Sequence, residues 1–135
     1  MSLISEQQIQ QFQEEGYFVT APMWTKAELQ AVSDEFDRLY DEYAESVDAN
    51  SHTDDRAREL AKNRPFIGAV HTSSELMCEF TKSPIYLEAC LKLIGPDVDL
   101  YFNQAVIKLP VQGQEFGWHQ DSGYTLTTPL EYLTC

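Results

Sequence analysis

Hydrophobic side chains recur every three or four residues through most of residues 1–96, which is the spacing of amphipathic helices. Ser5 and Gln8 form a capping box that predicts the start of a first helix, and Gly16 suits the residue that ends it. Thr25 and Glu28 form a second capping box before a long helix. The apolar stripe of that helix indicates core packing and comprises Leu29, Val32, Phe36, Leu39, Tyr40 and Tyr43.

Two segments interrupt this helical pattern. Residues 17–19 form a short β-type run, and residues 46–58 are polar, which predicts a mobile loop. Capping residues predict two further helices, one from Ser73 or Ser74 through Phe80 and one from Ser83–Pro84 to a stop at Gly95–Pro96.

Alternating polar and apolar residues replace the helical spacing from Asp97 onward. Residues 98–109 predict a strand with one face formed by Val98, Leu100, Phe102, Gln104, Val106 and Lys108. The later segments are predicted as a turn at 110–113, an extended stretch at 116–121, a loop at 125–129 and the start of a strand at 131–135. These patterns predict an α+β fold in one domain over residues 1–135, with helices mainly in 1–96 and the first strands in 97–135.

The net charge of the chain is −13, and the acidic residues are concentrated in its first half. Residues 1–60 carry 14 acidic and four basic side chains. Such a surface repels phosphate groups, so we expect neither nucleic acid nor a membrane as a partner. No apolar run reaches the length of a membrane span. The first residues lack the pattern of a secretory signal, and we therefore expect a cytoplasmic protein.

The three cysteines, Cys78, Cys90 and Cys135, are an odd number and contain no CxxC pair. They predict neither a disulfide framework nor a zinc site. Cys78 and Cys90 lie in apolar stretches, so we expect both to be buried as small hydrophobic residues.

The clearest chemical signal is the segment Trp118–His119–Gln120–Asp121. In an extended strand, residues two positions apart project to the same face, so His119 and Asp121 can point at one cation. An imidazole and a carboxylate are two members of the facial triad that binds Fe(II) in non-haem oxygenases. Because an isolated HxD motif is common by chance, its weight depends on the surrounding sequence. Trp118 alternates with His119 and is expected to pack on the opposite side.

The surrounding sequence resembles the phytanoyl-CoA dioxygenase family of Fe(II)/2-oxoglutarate-dependent oxygenases. The resemblance extends over nearly the whole chain, in the same order and spacing. It is carried by Phe12–Val19, Leu93–Val98, Leu109–Gly113, Trp118–Tyr124 and Pro129–Thr134.

This resemblance implies a double-stranded β-helix of jelly-roll (cupin-like) type, with the N-terminal helices packed on its first strands. It implies Fe(II) as the metal, with His119 and Asp121 as its first two ligands, and 2-oxoglutarate as cosubstrate. Gln104, Lys108 and Tyr124 are the residues it offers for contact with the cosubstrate or the mouth of the site. The implied partner is a small-molecule substrate that undergoes hydroxylation.

The sequence departs from the family pattern after Asp121. That pattern has a second histidine far downstream and an arginine beyond it, which clamps the distal carboxylate of 2-oxoglutarate. The 14 residues after Asp121 contain no His, Arg or Lys. His52 and His71 precede the motif, and neither is expected to replace the missing ligand.

Three hypotheses are consistent with this departure, and it leaves open whether the chain is an enzyme by itself. In the first, the chain is a truncated and inactive portion of an oxygenase. In the second, an oligomer such as a homodimer joined through exposed strand edges completes the metal site in trans. In the third, the chain is a non-catalytic interaction module.

Overall fold

Side-chain caps determine where the first helices begin and end. The Ser5 hydroxyl accepts a hydrogen bond from the Gln8 amide at 3.2 Å, and the Gln8 side chain accepts one from the Ser5 amide at 2.9 Å. Gly16 adopts a φ of 80°, which favours glycine, and its N–H donates to the Phe12 carbonyl at 2.8 Å. Both predicted ends of the first helix are thus confirmed. Thr25 and Glu28 form the second capping box in the same way.

The computed structural model describes residues 2–49, 54–63, 65–107, 117–125, 127–129 and 131–135. Its α-helices are α1 (Glu6–Glu15), α2 (Lys26–Ala49), α3 (Asp55–Asn63), α4 (Glu75–Thr81) and α5 (Pro84–Leu93). Its strands are β1 (Phe66–Gly68) and β2 (Gln104–Val106), and short 3-10 helices span Val70–Thr72 and Asp121–Gly123. None of the helices described here is long and apolar enough to cross a membrane.

The polar segment predicted as a loop over residues 46–58 is helical at both of its ends, so that prediction is wrong there. Helix α2 continues to Ala49 and α3 begins at Asp55, while residues 50–53 lie outside the described part. The Asp54 carboxylate accepts a hydrogen bond from the Ala57 amide at 2.8 Å, which caps α3. An ion pair between Lys62 and Asp48 joins α3 to α2. Polar composition here marks solvated helix faces rather than a loop.

The chain divides into two compact units. The first unit contains Met1–Met23, Lys82–Asp99 and Glu115–Cys135, and the second contains Trp24–Thr81 and Leu100–Gln114. The single domain predicted from sequence remains a prediction.

The second unit is built around a two-stranded antiparallel sheet. Phe66 pairs with Val106, Ile67 with Ala105 and Gly68 with Gln104. Its buried core consists of Val32, Leu39, Val70, Met77 and Ala105, with Phe36, Ile67 and Phe80 packed against it. Helices α2 and α4 therefore cover one face of the sheet, and the other face is exposed at Phe66, Gln104 and Val106.

In the described part of the chain, one predicted strand is shorter than the sequence pattern indicated, and the others are absent. Of the described residues 98–107, Gln104–Val106 form a strand, paired with the three residues of β1, and residues 108 and 109 lie outside the described part. Residues 17–19 and 131–135 adopt no regular strand, and the turn predicted at 110–113 lies outside the described residues. The short β1 and the 3-10 helix after it were not predicted. The α+β class is confirmed, but the two described strands do not make a jelly roll.

The first unit contains α1, α5 and the residues that follow Gly117. Its N-terminal segment is anchored on α5, where the Glu88 carboxylate accepts hydrogen bonds from the amides of Leu3 and Ile4 at 3.0 and 3.1 Å. The Ile4 side chain is completely buried. The predicted start of α5 at Ser83–Pro84 and its stop before Gly95 are confirmed. Cys90 is half-buried in this unit and Cys78 in the other, so neither is fully buried as expected.

Candidate metal centre

The predicted HxD motif lies at the entry to a short turn, not within a paired strand. Residues 117–120 form no ladder, Gln120 is extended with φ −111° and ψ 133°, and Asp121 begins the 3-10 helix. The amide of Tyr124 donates to the Asp121 carbonyl at 3.0 Å, which closes this turn. The two side chains nevertheless converge: Nε2 of His119 lies 3.4 Å from Oδ1 of Asp121.

The His119 ring is oriented by the backbone two residues before it. Its Nδ1 lies 2.8 Å from the Gly117 carbonyl oxygen. Because a carbonyl oxygen only accepts, Nδ1 carries a proton, and in the neutral form of the ring the lone pair is on Nε2, facing Asp121. The ring also packs edge-to-face with Tyr124, with centroids 5.7 Å apart. This is the tautomer in which a histidine ligates a metal through Nε2.

The Asp121 carboxylate is oriented by a residue near the end of the chain. Its Oδ2 accepts a hydrogen bond from the Thr134 hydroxyl at 3.0 Å, while Oδ1 faces His119. A carboxylate oxygen and the lone pair of a neutral imidazole repel each other at 3.4 Å unless a proton or a cation lies between them. Both side chains are partly exposed, so an ion from solution can reach them.

The comparison with protein families bears on this arrangement. Residues 12–135 match the family model described as phytanoyl-CoA dioxygenase (PhyH). The chain belongs to the phytanoyl-CoA dioxygenase family. No curated protein and no solved structure matches it.

Members of the phytanoyl-CoA dioxygenase family are generally dependent on Fe(II) and 2-oxoglutarate. Two ligands about 2.1 Å from one transition-metal ion and at a right angle to each other are about 3 Å apart. The 3.4 Å between the His119 and Asp121 atoms is close to that separation, and one nitrogen and one oxygen suit Fe(II). Among the described residues, no group of three His, Cys, Asp or Glu side chains could hold a metal ion. The two donors fit the family's metal, and a third donor does not lie in the described part.

The other residues that the family resemblance indicated are found in different places. Tyr124 lies beside His119 and is largely exposed. Gln104 lies on β2 in the second unit, on its exposed face, and Lys108 lies outside the described residues. His71 is also in the second unit, where its Nδ1 is 3.3 Å from Oδ1 of Asn103.

The structure corrects one expectation and adds two residues. Trp118 was expected to pack on the side opposite His119, but it is fully exposed because no strand partner covers residues 117–120 in the described structure. Thr134 was not recognised from sequence, since nothing in a pattern links it to a residue 13 positions earlier. The role of the Gly117 carbonyl could not be recognised from the sequence either, because every residue carries a backbone carbonyl.

Proposed function

We propose that this chain supplies two protein ligands, His119 and Asp121, to the Fe(II) centre of a 2-oxoglutarate-dependent oxygenase that hydroxylates a small molecule. The observation that carries the proposal is the approach of His119 Nε2 to Asp121 Oδ1 at 3.4 Å, with each group oriented by a separate hydrogen bond. Membership of the phytanoyl-CoA dioxygenase family supports this chemistry.

The residues of the chain have distinct parts in the proposed site. His119 offers a neutral nitrogen donor, and Asp121 offers an anionic oxygen that balances part of the metal charge. Tyr124 limits the movement of the imidazole by its edge-to-face contact. Gln104 and Lys108 are proposed as polar contacts for 2-oxoglutarate. The bound iron would supply the activation of O2 for attack on a substrate C–H bond.

The proposal requires a third protein ligand, because the family's facial triad has two histidines and one carboxylate. We propose that the third ligand comes from a second copy in a homodimer. We also propose a jelly-roll fold and a cytoplasmic location for the protein. The origin of the third ligand in a second copy predicts that Fe(II) promotes dimerisation, which sedimentation velocity can measure. A monomer that binds Fe(II) one-to-one would exclude it.

The test is an anaerobic titration of the chain with Fe(II) and 2-oxoglutarate. We expect the visible charge-transfer band of a 2-oxo acid bound to Fe(II) through two oxygen atoms. His119→Ala and Asp121→Asn should each abolish the band, because each removes one of the two donors. Asp97→Asn is the matched control: it removes one carboxylate from the same unit at an exposed position, and it should leave the band unchanged.

Absence of the band from a folded chain would contradict a metal centre formed by this chain under those conditions. The competing hypothesis is then a non-catalytic interaction module. It is favoured by the fully exposed Trp118, whose indole is available for contact with another molecule. That hypothesis predicts that His119→Ala leaves the chain's interactions intact, whereas Trp118→Ala weakens them.

A further inference from the structure

The hydrogen bond between Thr134 and Asp121 indicates a role for Thr134 that the motif alone does not contain. The Asp121 carboxylate has two oxygens, and the structure assigns them to different neighbours. Oδ2 lies 3.0 Å from the Thr134 hydroxyl, and Oδ1 lies 3.4 Å from His119 Nε2. An ionised carboxylate only accepts hydrogen bonds, so the hydroxyl of Thr134 must be the donor.

We propose that Thr134 is a positioning residue, whose hydroxyl holds the Asp121 carboxylate in the single orientation that presents Oδ1 beside His119. One consequence of this inference is tighter metal binding, and that consequence rests on the proposed function. Its structural content, a single side-chain rotamer of Asp121, does not depend on any metal.

Three features of the chain favour this role. The bond is charge-assisted, which makes it stronger than a bond between neutral groups. Thr134 is β-branched, so its χ1 angle has few accessible values and its hydroxyl is well placed before the bond forms. Asp121 is partly exposed, with 42% of its side-chain surface accessible, so little packing would restrain the carboxylate in the absence of this bond.

Occupation of Oδ2 by the hydroxyl also has a consequence for coordination. With Oδ2 engaged by the hydroxyl, Oδ1 is the oxygen left without this bond, and Asp121 would hold a metal through that one oxygen. A facial triad keeps three coordination positions open, and a carboxylate that bound through both oxygens would occupy one of them. Hydrogen-bond partners of metal ligands typically change metal affinity by about 10–100-fold.

The first measurement needs no metal and uses the whole chain. The three-bond NMR couplings from Asp121 Cγ to its backbone nitrogen and carbonyl carbon report the χ1 rotamer. We expect values of a single rotamer in the unmodified chain and in Thr134→Ser, and averaged values in Thr134→Val. Valine keeps the shape of threonine without the hydroxyl, and serine keeps the hydroxyl. Thr128→Val, at an exposed position between the two residues, is the control for loss of a threonine hydroxyl.

The second measurement is a Mn(II) titration followed by paramagnetic broadening of the His119 resonances. Thr134→Val should raise the dissociation constant about 10–100-fold, and Thr134→Ser should stay close to the unmodified chain. A single Asp121 rotamer in Thr134→Val would overturn the inference. Weakening of Mn(II) binding in Thr134→Ser equal to that in Thr134→Val would also overturn it, because serine keeps the hydroxyl. Averaged couplings in Thr134→Val with an unchanged Mn(II) affinity would overturn it as well.

The same data separate this inference from the proposed function. If Mn(II) at high concentration broadens no His119 resonance in the unmodified chain, the proposed metal centre fails. The couplings of Asp121 then still decide whether Thr134 fixes the carboxylate.

Discussion

At the residue scale, Asn103 shows how one side chain can hold a small unit together. Its Oδ1 accepts a hydrogen bond from the His71 amide at 3.0 Å, and its Nδ2 donates to the Thr81 hydroxyl at 3.3 Å. Its backbone carbonyl accepts from the Ala69 amide at 2.7 Å, next to the left-handed turn at Ala69 with φ 54°. Asn103 thus connects the residue before β2 with the 3-10 helix and with α4.

We expect Asn103→Ala to lower the free energy of unfolding by about 1–3 kcal/mol, because in a partly buried place the His71 amide loses its acceptor and the Thr81 hydroxyl loses one of its two partners. Urea denaturation followed by circular dichroism measures this change. Gln104→Ala is the control at the next position, where the exposed side chain predicts a change within about 0.5 kcal/mol. Equal effects of the two variants would show that the Asn103 side chain is not the connection described here.

At the element scale, the attachment of the N-terminal segment to α5 depends on one carboxylate. The Ser2 hydroxyl and the amides of Leu3 and Ile4 donate to Glu88, and Lys92 donates to the Ser2 hydroxyl and the Ile4 carbonyl. The hydrogen bonds from Ser2 and then from Leu3 lower the pKa of Glu88 from 4.5 to about 2. Ser2, Leu3 and Ile4 all donate to the Glu88 carboxylate, and hydrogen bonds to the charged form favour it, so the ionised form of Glu88 is the one that holds the segment.

This lowered pKa predicts a definite dependence on pH. A carboxyl group whose pKa is lower in the folded chain stabilises the fold above its unfolded pKa. For Glu88 that contribution is complete above about pH 4.5 and is lost as the pH falls towards 2. Glu35, whose pKa is lowered to about 2 by hydrogen bonds from Arg38 and then Ser74, adds a loss in the same range. The unmodified chain therefore loses stability from both groups.

We expect Glu88→Gln to unfold at a lower urea concentration than the unmodified chain at pH 7, and at the same concentration as that chain near pH 2. The reason is that glutamine resembles the protonated acid, so the two chains become equivalent once Glu88 is protonated. Asp97→Asn, at an exposed position of the same unit, should show no such difference at either pH. A difference at pH 7 that persists unchanged at pH 2 would contradict the assignment to the charge of Glu88.

At the scale of the whole molecule, charge is the dominant feature, with a net charge of −13 on 135 residues. Repulsion among like charges is larger in the folded chain than in the expanded unfolded chain, because the charges are closer together. Salt screens this repulsion, with a Debye length of about 30 Å at 0.01 M and about 3 Å at 1 M.

We therefore expect the thermal midpoint of unfolding to rise when NaCl is increased from about 0.01 M to about 0.1 M, where screening acts before specific salt effects become large. Scanning calorimetry at pH 7 measures the midpoint, and the same titration near pH 4.4, where the net charge is close to zero, is the control. A midpoint that falls with salt at pH 7 would show that local ion pairs such as Glu35–Arg38 outweigh the repulsion.

The sequence alone determined the features that depend on neighbouring residues. The ends of α1, the starts of α2, α4 and α5, the α+β class and the likeness to the family all follow from signals within a few positions or from a recognisable order of motifs. Capping is local chemistry, since a side chain satisfies an amide three residues away, and the pattern records it directly. For the same reason His119 and Asp121 were recognisable as a pair.

Tertiary structure decided every feature that needs two distant segments. A strand exists only where another strand pairs with it, so Gln104–Val106 became β2 opposite Phe66–Gly68, and the rest of the predicted strand before it did not. The helical start at Asp55 and the attachment of residues 2–4 to Glu88 likewise went unpredicted. The orientation of Asp121 depends on Thr134, 13 residues away. A linear pattern contains the donors and acceptors, but their pairing is set only when the folded chain brings them together.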